Sequence, residues 1–152
     1  MNKKELTLTL RHLDKKIAKS KNPTKAGVLL VDEKYLFPAN VITWATNGKV
    51  PNNIIDKPER WERPVKYIFI PHAEENLFCY CAKYGTETWG RTLLMRWFPC
   101  YICARMIIQA GIAKLICEKP DLENAEFQEK WHFKEALEML EESSVELEYL
   151  KQ

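Results

Sequence analysis

The chain has 152 residues, 46% of them hydrophobic and 29% charged, with a formal net charge of +2 at pH 7. That length and mixture describe one globular domain able to bury its own core without disulfide staples, and they exclude a disordered or collagen-like chain. The near-balanced charge lacks the basic excess of a typical nucleic-acid-binding domain, and no apolar run reaches the ~20 residues that cross a bilayer.

Met1 to Glu5 leads into an amphipathic stretch rather than an apolar leader. The expected location is therefore cytoplasmic, with Cys79, Cys81, Cys100, Cys103 and Cys117 reduced. Leu6, Leu10, Leu13 and Ile17 recur at helical spacing and predict a first helix over residues 5–19. Ser20-Lys21-Asn22-Pro23 ends it. The apolar run 26–31 predicts a buried strand, Asp32-Glu33-Lys34 a turn, and residues 35–43 the hairpin partner. Residues 44–64 hold Asn47-Gly48, Pro51, Pro58 and Pro64, so they predict a long functional loop.

Residues 66–70 read as a short strand or lead-in, and a helix follows over 72–84. The strand expected at 92–97 precedes a helix over 100–110 that Gly111 stops. A strand at 113–117, a charged amphipathic helix at 126–142 and a strand at 145–150 complete the order α-β-β-α-β-α-β-α-β. Alternation after the opening hairpin implies parallel strands covered on both faces. The expected architecture is a single domain over residues 1–152, a three-layer α/β/α sandwich around a five-stranded mixed sheet.

Two short motifs carry the chemistry: His72-Ala73-Glu74 and Pro99-Cys100-Tyr101-Ile102-Cys103. Catalytic zinc sites use three protein ligands and leave a fourth position for water. His72, Cys100 and Cys103 supply such a set, and Cys100 and Cys103 share a face one helical turn apart. A helix N-terminus favours the thiolate form that binds metal. His72 and Glu74 are two residues apart, so mid-helix they would point apart. Both serve one site only if the pair stands at a helix start. Two helix N-termini must then converge at the carboxyl ends of the strands. The H-x-E…P-C-x-x-C pattern is that of zinc deaminases, in which the glutamate is a proton shuttle and not a ligand. The expected cofactor is Zn2+ and the expected shuttle is Glu74.

At these residues the sequence resembles the cytidine deaminase superfamily, and within it the deoxycytidylate (dCMP) deaminases. The resemblance extends to Phe98-Pro99-Cys100-x-x-Cys103-Ala104, Ile107-Ile108-Gln109-Ala110-Gly111-Ile112, Asn76, Ser20-Lys21-x-Pro23, Gly27 and Asn47-Gly48. It implies conversion of dCMP to dUMP and ammonia, a small pyrimidine nucleotide as partner, and a homo-oligomer, either dimer or hexamer. It also implies that Asn47 contacts the sugar and that the Ala73 backbone N–H contacts the pyrimidine carbonyl. Ala45-Thr46 replaces the usual Gly-Tyr before Asn-Gly. Lys21, Lys25, Arg60 and Arg63 are candidates for a phosphate contact.

Rival readings attach to the same residues. Cys100-x-x-Cys103 alone fits a redox pair or half of a structural zinc site, and a non-catalytic zinc module would leave Glu74 without a task. A tRNA adenosine-type deaminase would need a basic groove, which the charge does not favour, and another small heterocycle is a further alternative. Cys79 and Cys81 face apart on a helix and read as core rather than as a second metal site, and Cys117 as packing. His12 and His132 read as surface or helix-face residues. Arg60-Trp61-Glu62-Arg63 reads as an interface or lid rather than a nucleic-acid platform. The glutamates between 138 and 148 read as a solvated face.

Overall fold

The computed structural model describes residues 1–151. Its elements are α1 (Lys3–Ile17), β1 (Gly27–Val31), β2 (Val41–Thr46), a short 3-10 turn (Pro58–Trp61), α2 (Lys66–Phe69) and α3 (Ala73–Tyr84). They are followed by β3 (Thr92–Met95), α4 (Tyr101–Gln109), β4 (Lys114–Cys117), α5 (Ala125–Trp131), α6 (Phe133–Glu142) and β5 (Glu146–Tyr149). The five strands form one sheet in the order β2-β1-β3-β4-β5. β1 is antiparallel to both β2 and β3, while β3, β4 and β5 run parallel. The mixed five-stranded sheet and its α/β/α layers are those expected.

Side-chain alternation along the strands assigns the two layers. Leu29, Val31, Leu94 and Ile116 point to one face, where Leu13 and the apolar stripe of α1 cover them. Val28, Leu30, Leu93, Met95, Leu115 and Cys117 point to the other, against buried side chains of α3, α4 and α6. The long α1 therefore covers one face, and three helices cover the other. Both faces of β1 and β3 are dry, which is why these strands read as continuous apolar runs. No helix among the described residues is long and apolar enough to cross a membrane.

Three expectations change. The partner of β1 is not 35–43 but Val41–Thr46, so the connection is longer and the strand reaches into the stretch expected to be irregular. Residues 35–40 turn instead, closing with Asp32 N–H on the Asn40 carbonyl at 2.9 Å, and Pro38 offers no N–H for a ladder. Residues 66–69 form one helical turn rather than a strand, with the Ile70 N–H donating to the Lys66 carbonyl at 2.8 Å. The single helix expected over 126–142 is two helices. His132 breaks it in the left-handed region (φ 50°), where α5 ends and α6 begins. The break lets the Phe133 ring meet Phe127 and Phe98 edge-on at 5.9 and 5.6 Å. At the end of α4, Gly111 takes φ +67°, the left-handed stop expected of it.

Candidate active site

The two motifs meet at two helix starts. His72 is the N-cap of α3 and Cys100 the N-cap of α4, both with extended backbone (ψ 162° and 168°). Cys103 stands at the third position of α4, so its sulfur turns back toward the same end of the helix. Asn76 ties the first turn of α3 to the sheet by donating to the Thr46 carbonyl at 2.9 Å. Glu75 accepts the His72 backbone N–H at 2.6 Å, which fixes the helix entry. Trp131, at the end of α5, lies edge-on to the His72 ring with centroids 5.3 Å apart.

His72 Nδ1 lies 3.5 Å from Cys100 Sγ and 3.4 Å from Cys103 Sγ. All three donor atoms fall within 4.8 Å of one another. Tetrahedral zinc, with bonds of about 2.3 Å to sulfur and about 2.0 Å to nitrogen, sets its donors about 3.5–3.8 Å apart. The two nitrogen–sulfur spacings match that geometry, and two thiolates with an imidazole are a soft donor set suited to it. Among the described residues this is the one such group of histidine, cysteine and acidic side chains. Cys81 is buried, as a core residue should be, but Cys79 is exposed and not the core residue expected, because two residues along a helix turn it to the opposite side. Burial pushes the Cys117 thiol up to about 12, in keeping with a packing role.

The hydrogen bond with Cys103 is the largest effect pulling the Cys100 thiol down to about 4, and His72 adds to it. The hydrogen bond with Cys100 holds His72 up, at about 9, against burial. Cys103 rises because it shares its proton with Cys100 and is buried. These shifts favour a Cys100 thiolate beside a His72 imidazolium, with the Cys103 thiol protonated.

A cavity of about 240 Å³ opens beside this set, lined by His72, Ala73, Glu74 and Cys100 on the helix-start side. The Glu74 residue is 5% exposed, outside the three-donor set yet on the cavity wall. Burial raises its pKa, and His72 opposes that rise. Ala73 is the first residue of α3, and the leading N–H groups of a helix have no partner within it. Its N–H can therefore serve a ligand in the cavity.

Asn47 also borders the cavity, but its side chain is largely committed. Its Oδ1 accepts from Ser20 Oγ at 2.9 Å and from the Ala26 N–H at 3.1 Å, and its Nδ2 donates to the Thr24 carbonyl at 2.7 Å. It anchors the α1–β1 loop and keeps one N–H for the cavity. Close packing of Gly48 on that loop explains the Asn-Gly pair. A Cβ there would meet Ser20 Oγ at 2.6 Å and Lys21 N at 2.7 Å.

Of the four basic residues expected near a phosphate, Arg63 alone reaches the cavity wall. Lys25 donates to the Ala18 carbonyl at 2.8 Å, Lys21 faces Asp56 at 3.9 Å, and Arg60 donates to the Ile55 carbonyl at 2.6 Å. Arg60 also stacks on Phe69, and Trp61 donates to Asp56, so this loop is folded on itself. Sequence reasoning missed Lys66 and Lys130, which line the cavity. The signal for Lys66 was its spacing of three from Arg63, obscured by reading residues 66–70 as extended.

Residues 1–119 match the family model described as the cytidine and deoxycytidylate deaminase zinc-binding region. An uncharacterized deaminase from Aliivibrio fischeri is 31% identical over 134 residues, covering 86% of this chain and 83% of that protein. The human deoxycytidylate deaminase is 31% identical over 105 residues, which span 64% of this chain but 55% of the human protein. The crystal structure of dCMP deaminase from the cyanophage S-TIM5 with dCMP and dUMP superposes with a TM-score of 0.74, at 19% identity over 99% of both chains. That last likeness bears on the fold, whereas the family match rests on the stretch that carries all three candidate ligands and Glu74. The chain is a member of the cytidine and deoxycytidylate deaminase family, a zinc-dependent hydrolytic deaminase.

Proposed function

We propose that the protein deaminates a cytosine nucleotide, converting dCMP to dUMP and ammonia. His72, Cys100 and Cys103 hold the zinc, and Glu74 moves the protons. The observation that carries this reading is Glu74 itself, a carboxylate 5% exposed that borders the cavity yet stands outside the three-donor set. A non-catalytic zinc module would have no use for it.

When bound, zinc acts as a Lewis acid that brings the pKa of water to near neutrality. Glu74 takes one proton from the attacking water and delivers it to the ring nitrogen beside the reacting carbon. It passes the second proton to the exocyclic amine, which leaves as ammonia. The carbon–nitrogen bond breaks as the carbonyl forms, so the two protons of one water account for N–H in the product ring and the third hydrogen of ammonia. Burial raises the pKa of Glu74, which favours a carboxyl that can return a proton after accepting it. In this reading the Ala73 N–H holds the pyrimidine carbonyl and the free N–H of Asn47 reaches the sugar. Phe127, Trp131 and Phe133 give the cavity an apolar wall.

The named relatives support the cytosine nucleotide, and the confined cavity favours a small molecule over a polymer. We read the described chain as one catalytic domain working in a homo-oligomer, which light scattering of the purified protein tests. The substrate itself is tested by following ammonia release from dCMP, dCTP, deoxycytidine and cytidine with zinc-loaded protein. Turnover of dCMP is expected. A protein with one zinc per chain that releases ammonia from none of these, or that prefers tRNA adenosine, refutes the reading.

A further inference from the structure

The wall of the same cavity carries three cations. Arg63 and Lys66 come from the approach to α2 and from its first residue, and Lys130 from α5. Lys66 is 7% exposed, unusual for a lysine that has no carboxylate partner. Its ammonium donates to Asn22 Oδ1 at 3.1 Å. An ammonium has three N–H donors, so two remain for whatever enters the cavity. Among the described residues no carboxylate pairs with Lys66, Arg63 or Lys130. Glu126 borders the same cavity and pairs with none of them. Arg63 and Lys130 instead sit over the Tyr67 ring, at 5.9 and 4.5 Å from its centroid.

The partner of Lys66 is itself built in. Asn22 is 4% exposed, accepts the Thr24 N–H at 3.1 Å and donates to the Asn47 carbonyl at 3.4 Å. Burial lowers the pKa of Lys66, Tyr67 opposes this, and Arg63 and Lys130 lower it further. Like charges beside a buried lysine repel it, and an anion entering among them relieves that repulsion.

We propose that Lys66, flanked by Arg63 and Lys130, binds the phosphate group of the substrate and makes this cavity select a phosphorylated ligand over the free nucleoside. The inference rests on the nucleotide reading above and adds the residues that enforce it. Lys66 supplies the inner contact with two free donors. Arg63, exposed, and Lys130, half-exposed, stand at the rim. Charge-assisted hydrogen bonds of this kind correspond to roughly 10- to 100-fold in binding or in kcat/KM.

The test compares wild type with Lys66→Met and Lys130→Gln, each zinc-loaded. The quantity read is kcat/KM for dCMP divided by kcat/KM for deoxycytidine. It should fall roughly 10- to 100-fold in Lys66→Met and several-fold in Lys130→Gln. The second variant changes a half-exposed side chain and keeps the test alive if the first does not fold. In parallel, inorganic phosphate is titrated calorimetrically into all three proteins, and its binding should weaken in both variants. An unchanged ratio in both variants overturns the proposal. So does an equal loss for nucleotide and nucleoside, which would make Lys66 a brace for Asn22, or phosphate binding that neither variant alters. If no cytosine substrate is turned over but phosphate binding still depends on Lys66 and Lys130, the anion site stands and the nucleotide reading falls.

Discussion

Replacing Asn47 with alanine separates the anchoring role of this residue from the sugar contact that the family resemblance implies. The substitution removes three hydrogen bonds of 2.7–3.1 Å, to Ser20, Thr24 and Ala26, at a position 8% exposed. Each is worth about 1 kcal/mol net, and the Ala26 N–H and the Ser20 hydroxyl lose their acceptor, so a loss of about 3 kcal/mol is expected. For a domain of this size, that lowers Tm by roughly 6–12 °C. The assay is thermal and urea denaturation at a fixed free zinc concentration, because zinc that binds only the folded chain adds its own stabilisation. Asn47→Asp is the control. It keeps the acceptor oxygen for Ser20 and Ala26 but sets a carboxylate against the Thr24 carbonyl, and should fall between the two. A stability loss below about 0.5 kcal/mol for Asn47→Ala, with activity abolished, would refute the anchoring argument and make Asn47 purely a substrate contact.

Further outcomes follow from the same geometry. Glu74→Gln should retain one zinc per chain while kcat falls by roughly 10²- to 10⁴-fold, checked by metal analysis beside the ammonia assay. Gly48→Ala should destabilise the fold by about 1–3 kcal/mol in the same denaturation assay and weaken substrate binding, because its Cβ would push the backbone at Ser20 and Lys21. Zinc uptake by metal-free Glu74→Gln should release about two protons at pH 5.5, measured by calorimetry in buffers of different ionisation enthalpy. At that pH His72, raised to about 9, and Cys103, also raised, each give up a proton, while Cys100, lowered to about 4, is already a thiolate. Unperturbed side chains would release about three, since both thiols and most of the imidazole would be protonated. Zinc affinity should accordingly rise with pH until His72 and Cys103 have deprotonated.

The metal set was legible because its constraint is local. A histidine and a glutamate two residues apart can serve one centre only at a helix start, and both His72 and Cys100 are indeed N-caps. The sheet was legible because residues 27–31 and 93–95 are apolar at every position, the pattern of strands covered on both faces. The break at His132 was not, because nothing in the charged periodicity of residues 126–142 marks a non-glycine residue that enters the left-handed region. Only tertiary packing explains it. The break directs Trp131 to His72 and Phe133 to Phe98, so one residue closes on the metal set while its near neighbour enters the core.

Lys66 shows the same limit more sharply. Lysine is assigned to the surface by default, and a lysine in a short segment before a metal motif carries no mark of burial. Its burial depends on Asn22, which lies 44 residues away and is held by Asn47 from a third segment. The candidate zinc ligands are set by spacing within two short motifs. The residues proposed to read the phosphate are set by three segments converging on one wall. The reaction class can therefore be read from a handful of adjacent positions. On the proposed reading, substrate choice in this chain rests on the long-range contacts that bury Lys66.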